Sequence, residues 1–232
     1  ASAGSLTGTT FTATSNTPAW TSNVPATVGG SSALDFGTTA GNYVVESGAT
    51  IDGLKNLSAF TLTGWLNCKN STVGSGGNRI ISWINGGGNG VDLVYRTDGS
   101  LRLGVNAWPG ASPAFSSPDK ITTNASAPAS NWVFFAVTYQ SSNGQVQFYF
   151  GNNEANATLD ITRIYSQGAV GSNIARLAIG HFNSVTRSAA PDRMFRGLID
   201  DIQIYGSILT LAQIVSVQPN SSTTNPVAGT NV

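Results

Sequence analysis

The chain has 232 residues, with eleven basic and eleven acidic side chains, so its formal charge is zero and only 9% of it is charged. An average globular protein is about 25% charged. Eleven scattered cations cannot build the basic stripe that a nucleic-acid backbone requires. No run approaches the roughly 18 apolar residues of a membrane span, and no basic amphipathic segment suggests surface insertion.

In chain order, residues 1–29 are poor in charge and rich in Thr, Ser and Gly, and read as an extended N-terminal segment with "GTTFTAT" as a strand candidate. From residue 30 to 215 short apolar runs alternate with turn chemistry. "ALDFG", "NYVVE", "AFTLTGWLN", "RIISWI", "VDLVYR", "LRLGVN", "NWVFFAVTY", "QVQFYF", "TRIYSQ", "RLAIGHF" and "LIDDIQIY" read as strands, rich in β-branched and aromatic residues. Two hairpins are expected, at Thr97-Asp98-Gly99-Ser100 and at Asn143-Gly144, because Asp-Gly and Asn-Gly supply the positive φ that tight turns need. "SILTLAQIVS" is the one helical candidate, capped by Thr210 with Leu211, Ile214 and Val215 on its buried face. Residues 216–232 read as a tail or linker. The fold class is all-β: a two-sheet antiparallel jelly-roll sandwich with one short C-terminal helical turn. Cys68 is the single cysteine, so no intrachain disulfide forms, and it reads as a small buried hydrophobe. The uncharged, Thr/Ser/Asn/Gly-rich composition suits a mature exported chain, so an extracellular or cell-surface setting is expected.

The segments "SALDFGTTAGNYVVE", "AFTLTGWLN", "IISW", "DGSLRLGV", "NWVFFAVTY", "VQFYFGN", "LAIGHF" and "FRGLIDDIQIYGSILTLAQI" occur in an order that resembles the laminin-G-like, concanavalin A-like jelly-roll domains. The resemblance implies two face-packed antiparallel sheets. It leaves function open, since such domains include glycan-binding modules, adhesion domains, hydrolases and lyases.

Glycoside hydrolysis needs two carboxylates about 5–9 Å apart across the scissile bond. The hydrolases of this fold carry E-x-D-x-x-E on one strand, and neither Glu46 nor Glu154 has a carboxylate at that spacing. Asp200 and Asp201 are adjacent, so alternation predicts that they face opposite ways, with Leu198, Asp200, Ile202 and Ile204 on one side. His181, the only histidine, lacks the strand patterns of the lyases and any G-x-S-x-G elbow. The chain is therefore expected not to be an enzyme.

A carboxylate on an apolar face needs a partner. For Asp200 the sequence offers loop amides, Arg193 or Arg196, or a structural calcium ion shared with Asp35 or Asn42. For glycan recognition, Trp108 in the loop "NAWPGASPAF" is the stacking candidate, with Asn106, Asn85 and Asn89 as hydrogen-bonding neighbours. A Trp108 packed on its own sandwich is the alternative. Asn70, Asn124 and Asn156 lie in glycosylation sequons that read as exposed. The expected function is a non-catalytic recognition or adhesion module for a glycan or an extracellular protein. The second reading is a filament or surface-layer subunit that self-assembles through its terminal segments.

Overall fold

The structure, a computed structural model, describes residues 11–13, 18–26, 28, 32–39, 41, 43–69, 77–108, 132–183, 186 and 191–219. Its strands are β1 (Phe11–Ala13), β2 (Ala19–Thr21), β3 (Ala33–Asp35), β4 (Val45–Ser47), β5 (Ala59–Cys68), β6 (Asn78–Ser82), β7 (Val91–Tyr95), β8 (Leu101–Val105), β9 (Val133–Gln140), β10 (Gln145–Asn152), β11 (Thr158–Ile164), β12 (Ala178–Ile179) and β13 (Gly197–Tyr205). They form a six-stranded sheet, β1-β4-β12-β6-β7-β8, and a seven-stranded sheet, β11-β10-β9-β5-β13-β3-β2. Pairing within both is antiparallel.

Period-two alternation builds the core between the sheets. The seven-stranded sheet contributes Phe60, Leu62, Leu66 and Cys68 from β5, Phe135, Val137 and Tyr139 from β9, and Val146 and Phe148 from β10. The other sheet answers with Val91, Leu93 and Tyr95 from β7 and Leu101, Leu103 and Val105 from β8. Each large side chain so buried contributes about 1.5–3 kcal/mol. Both expected hairpins form, with Tyr95 opposite Leu101 and Gln140 opposite Gln145. In the first turn the Asp98 carboxylate accepts from the Ser100 backbone and hydroxyl.

The outer face of the seven-stranded sheet is covered as well. Trp65, Phe134, Ala136, Tyr149 and Leu198 pack there against Trp132, Leu209 and Ile214, with Val24 and Val28 from the N-terminal segment at the edge. Ile214 comes from helix α1 (Leu211–Val217), which starts on a capping box: the Gln213 backbone N–H donates to the Thr210 hydroxyl, and the Gln213 side chain accepts from the Thr210 N–H. Leu211 departs from expectation. It is 45% exposed, because seven residues give room for one buried anchor, Ile214. The Gln218 side chain pins the helix end by accepting from Ala157 N–H and donating to the carbonyls of Asn152 and Ala155.

The N-terminal segment is part of the sandwich. β1, within the strand candidate "GTTFTAT", pairs with β4 in one sheet, and β2 pairs with β3 in the other.

β13 carries a β-bulge that overturns the expected alternation. Asp200 lies opposite Trp65 and Gln203 opposite Thr63, which leaves Asp201 and Ile202 together facing Gly64. Asp201 takes the left-handed conformation, φ 45°, and a Cβ on Gly64 would collide with Ile202. The extra residue turns Ile199, Ile202 and Ile204 toward the inter-sheet core, while Leu198 and Tyr205 belong to the outer cluster. Asp200 therefore does not share a face with Ile202 and Ile204. The Asp201 carboxylate accepts from the Gln203 side chain, whose oxygen in turn accepts from the Tyr205 hydroxyl. The two acids are neighbours, not opposites.

Candidate ligand-binding rim

β6, β7 and β8 are buried at every position, on both faces. On the other sheet α1 covers the middle, whereas β11 stays open, with Leu159 and Ile164 47% and 62% exposed. At one end of the sandwich three loops meet: residues 85–90 before β7, residues 106–108 after β8, and residues 167–173 after β11.

Asparagines staple these loops together. Asn85 Oδ1 accepts from the backbone of Gly87 and Asn89, and its Nδ2 donates to the Asn173 carbonyl. Asn106, at φ 49°, donates its backbone N–H to the Gly90 carbonyl. Its Oδ1 accepts from Gly171 N–H at 2.8 Å and Gly90 N–H at 3.4 Å, and its Nδ2 donates to the carbonyls of Ala169 (2.6 Å) and Gln167 (3.1 Å). Gly90 has φ 119°, and a Cβ there would strike the Trp83 carbonyl, so the loop needs glycine at this place.

The amides of Asn85 and Asn106, expected to meet a ligand, are thus occupied in holding the rim's shape. Asn89 differs: its side chain lies against Gly171, where a Cβ would meet its Oδ1 at 3.0 Å, and makes no side-chain hydrogen bond among the described residues.

Trp108 stands at this rim, 39% exposed. Its ring meets Phe182 edge to face, with centroids 5.4 Å apart and planes at 83°. Phe182 in turn lies under the Arg79 guanidinium, 3.9 Å from ring centroid to carbon. Arg79 donates from Nη2 and Nε to Asp92 Oδ2, at 2.9 and 3.2 Å, and from Nη1 to the Gly77 carbonyl. Arg79 and Asp92 are 2% and 0% exposed. Burial pushes the Asp92 carboxyl up and the Arg79 guanidinium down, and their mutual attraction opposes both shifts. The result is a column running Asp92–Arg79–Phe182–Trp108, which packs Trp108 on its own sandwich and leaves its ring partly exposed. The sequence carried a signal for it: an arginine and an aspartate placed inside the apolar runs "NRIIS" and "VDLVY" of consecutive strands.

Elsewhere the structure parts the expected groups. Asp200 Oδ1 accepts from Asp201 N–H, while Oδ2 is buried with no partner among the described residues. Neither Arg193 nor Arg196 pairs with it; Arg193 contacts Asp192. Burial and the neighbouring Asp201 raise the Asp200 carboxyl, although the Asp201 N–H bond opposes this, and burial raises that of Asp201. Asp35 accepts from Lys69 at 2.9 Å and from Gly37 N–H, so it is not turned to a shared ion with Asp200. Asn42 lies outside the described residues, and among those described no three His, Cys, Asp or Glu side chains are grouped to hold a metal. Asp200 is not poised for hydrolysis either, since its second oxygen is closed to a substrate. His181 is fully buried, with Nδ1 accepting from Phe182 N–H. Cys68 is buried as expected. Asn156 is exposed, whereas Asn70 and Asn124 lie outside the described residues.

Residues 36–215 match the profile of the laminin-G-type concanavalin A-like lectin/glucanases superfamily. The chain belongs to that superfamily. Among solved structures, this lectin-like domain is similar to the heptameric SAP-like pentraxin of Limulus polyphemus, at 15% identity and TM-score 0.55, covering 79% of each chain. It is similar to the CBM40 of the Ruminococcus gnavus IT-sialidase, at 14% identity and TM-score 0.50, over 80% of this chain and 95% of that one. It also resembles tailspike protein 2 of the Escherichia coli O157:H7 bacteriophage CAB120, at 14% identity and TM-score 0.50, over 84% of this chain and 25% of the tailspike. These likenesses establish the jelly-roll sandwich. No curated protein shows significant sequence similarity to the lectin-like chain. No helix among the described residues is long and apolar enough to cross a membrane.

Proposed function

We propose that this lectin-like domain is a non-catalytic extracellular recognition module that binds glycan at the rim around Trp108. The observation that carries the reading is the partly exposed Trp108 ring, held by Phe182 and the buried Arg79–Asp92 pair. Sugars present apolar C–H faces that stack on such a ring, and a ring fixed in advance loses little entropy on binding. Asn89 and the exposed backbone of Gly86 and Gly87 supply nearby polar groups. The binding-module and pentraxin neighbours fit a binding role. The filament reading has less support, because β1 and β2 pair with strands of their own chain.

A glycan array tests the proposal, with Trp20→Ala as the control because Trp20 is a 68% exposed tryptophan on the far edge of the other sheet. Retention of at least one glycan by the native chain and Trp20→Ala, with loss in Trp108→Ala, is expected. Retention by Trp108→Ala, or no retention at all, would refute the rim.

A further inference from the structure

We infer that the rim selects neutral glycans and discriminates against sialylated, uronate-bearing or sulfated ones. The inference deepens the glycan reading and rests on it. Proteins grip an anionic sugar with arginine or lysine, whose charge-assisted bonds offset the loss of the anion's hydration. Moving a carboxylate against a surface without such a cation costs far more than moving a hydroxyl.

The three loops that meet around Asn106, beside Trp108, read "NGGGNG" (85–90), "NAW" (106–108) and "QGAVGSN" (167–173). None of these residues ionises. The groups they present are glycine backbone, the Asn89 amide, Ser172, Asn173 and the Trp108 ring. Under the platform Arg79 and Asp92 are buried against each other, 2.9 Å apart, beneath Phe182, and the further cations whose charge reaches them, Arg193 and Arg96, stand outside the three loops, Arg193 against Asp192 at 3.5 Å. Arg176, the next cation along the chain, lies 3.8 Å from the buried Glu46. The described rim therefore combines an aromatic face with neutral donors and acceptors, which matches a hydroxyl-decorated sugar ring and leaves an acidic substituent without a counter-charge. The stapling by Asn85 and Asn106 adds to this selectivity, because a rim fixed by that many bonds is not free to bring a distant cation inward.

Calorimetric titration of the full chain tests this with two sets of probes. The neutral set is cello-, manno-, xylo- and chito-oligosaccharides; the acidic set is sialyllactose, oligogalacturonate and a sulfated galactan fragment. Each is measured at about 50 and about 500 mM NaCl, a range over which the screening length falls severalfold. The expected result is that at least one neutral oligosaccharide binds, with affinity changing less than about twofold between the two salts, and that acidic probes bind at least about tenfold more weakly. Trp108→Ala should weaken neutral binding about tenfold, the loss of a stacking contact worth about 1.4 kcal/mol. Asn89→Ala, which removes no side-chain hydrogen bond among the described residues, should weaken it severalfold with little change in the melting curve. Preferred binding of an acidic probe, weakened by salt and by Trp108→Ala, would overturn the neutral selectivity while leaving a glycan site at the rim. Binding of neither set would overturn the glycan reading itself.

Discussion

Asn106 occupies a left-handed backbone conformation and uses its whole side chain to join three loops. Asparagine tolerates that conformation better than most residues, whereas alanine is strained there. Asn106→Ala is expected to cost about 2–3 kcal/mol, from unpaired loop groups together with strain. Asn106→Gly removes the strain and should recover about 1 kcal/mol of it; urea unfolding of the two variants measures the difference. Asp200 and Asp201 make the opposite kind of prediction. Their carboxyls titrate higher in the folded chain than in the unfolded one, so folding favours their protonated forms. Stability from this pair is fully present below the ordinary carboxylate value, about 3.9, and is lost as pH rises through the raised folded values. Asp200→Asn keeps an Oδ1 acceptor for the Asp201 N–H. It should raise Tm by about 1–3 °C near pH 7 and change it little near pH 3.5, as thermal melts across pH would show. At this scale the sequence was a partial guide. Asn85, Asn89, Asn106 and Trp108 do gather, because the residues flanking β7 and β8 must meet at one end of a hairpin. Which amides act as staples depends on carbonyls some 60 to 90 residues away, and no local pattern reports those.

The strands themselves were legible because alternation and turn chemistry are local. "VDLVYRTDGSLRLGV" and "VFFAVTYQSSNGQVQFYF" become hairpins where Asp-Gly and Asn-Gly predict them. β13 was legible as a strand and misread in its facing, since one bulged residue reverses every assignment beyond it. The bulge answers to Gly64 on the neighbouring strand, a partner that adjacency in sequence does not reveal. The pairing of β6 with β7 sets Arg79 beside Asp92, and here a strong energetic expectation follows. Removing one member of a buried pair strands the other charge, so Arg79→Met is expected to cost about 3–5 kcal/mol. Arg79→Met combined with Asp92→Leu should recover most of that loss, in a double-mutant cycle followed by denaturant unfolding. Recovery of stability without recovery of glycan binding would locate the pair's importance in supporting Phe182 and Trp108.

Across the whole molecule, the order of apolar segments identified the sandwich, while the cover on its outer faces was not foreseen. The N-terminal residues read as an extended segment because short, Thr-rich stretches lack a strong apolar period, and β1 and β2 within it extend both sheets. β13 lies between β5 and β3, so the seven-stranded sheet is divided until that strand arrives. β12, between β4 and β6, holds a similar place in the other sheet. During synthesis, then, the ribosome must deliver residues beyond Tyr205 before the early β2–β3 pair has anything to dock against. Nascent chains arrested with residue 196 as the last one outside the exit tunnel should be digested rapidly by protease, and those with residue 219 clear of it should resist. Most of this domain is therefore made before it folds, and a chaperone that shields the growing chain would have its longest engagement here just before the last strand appears.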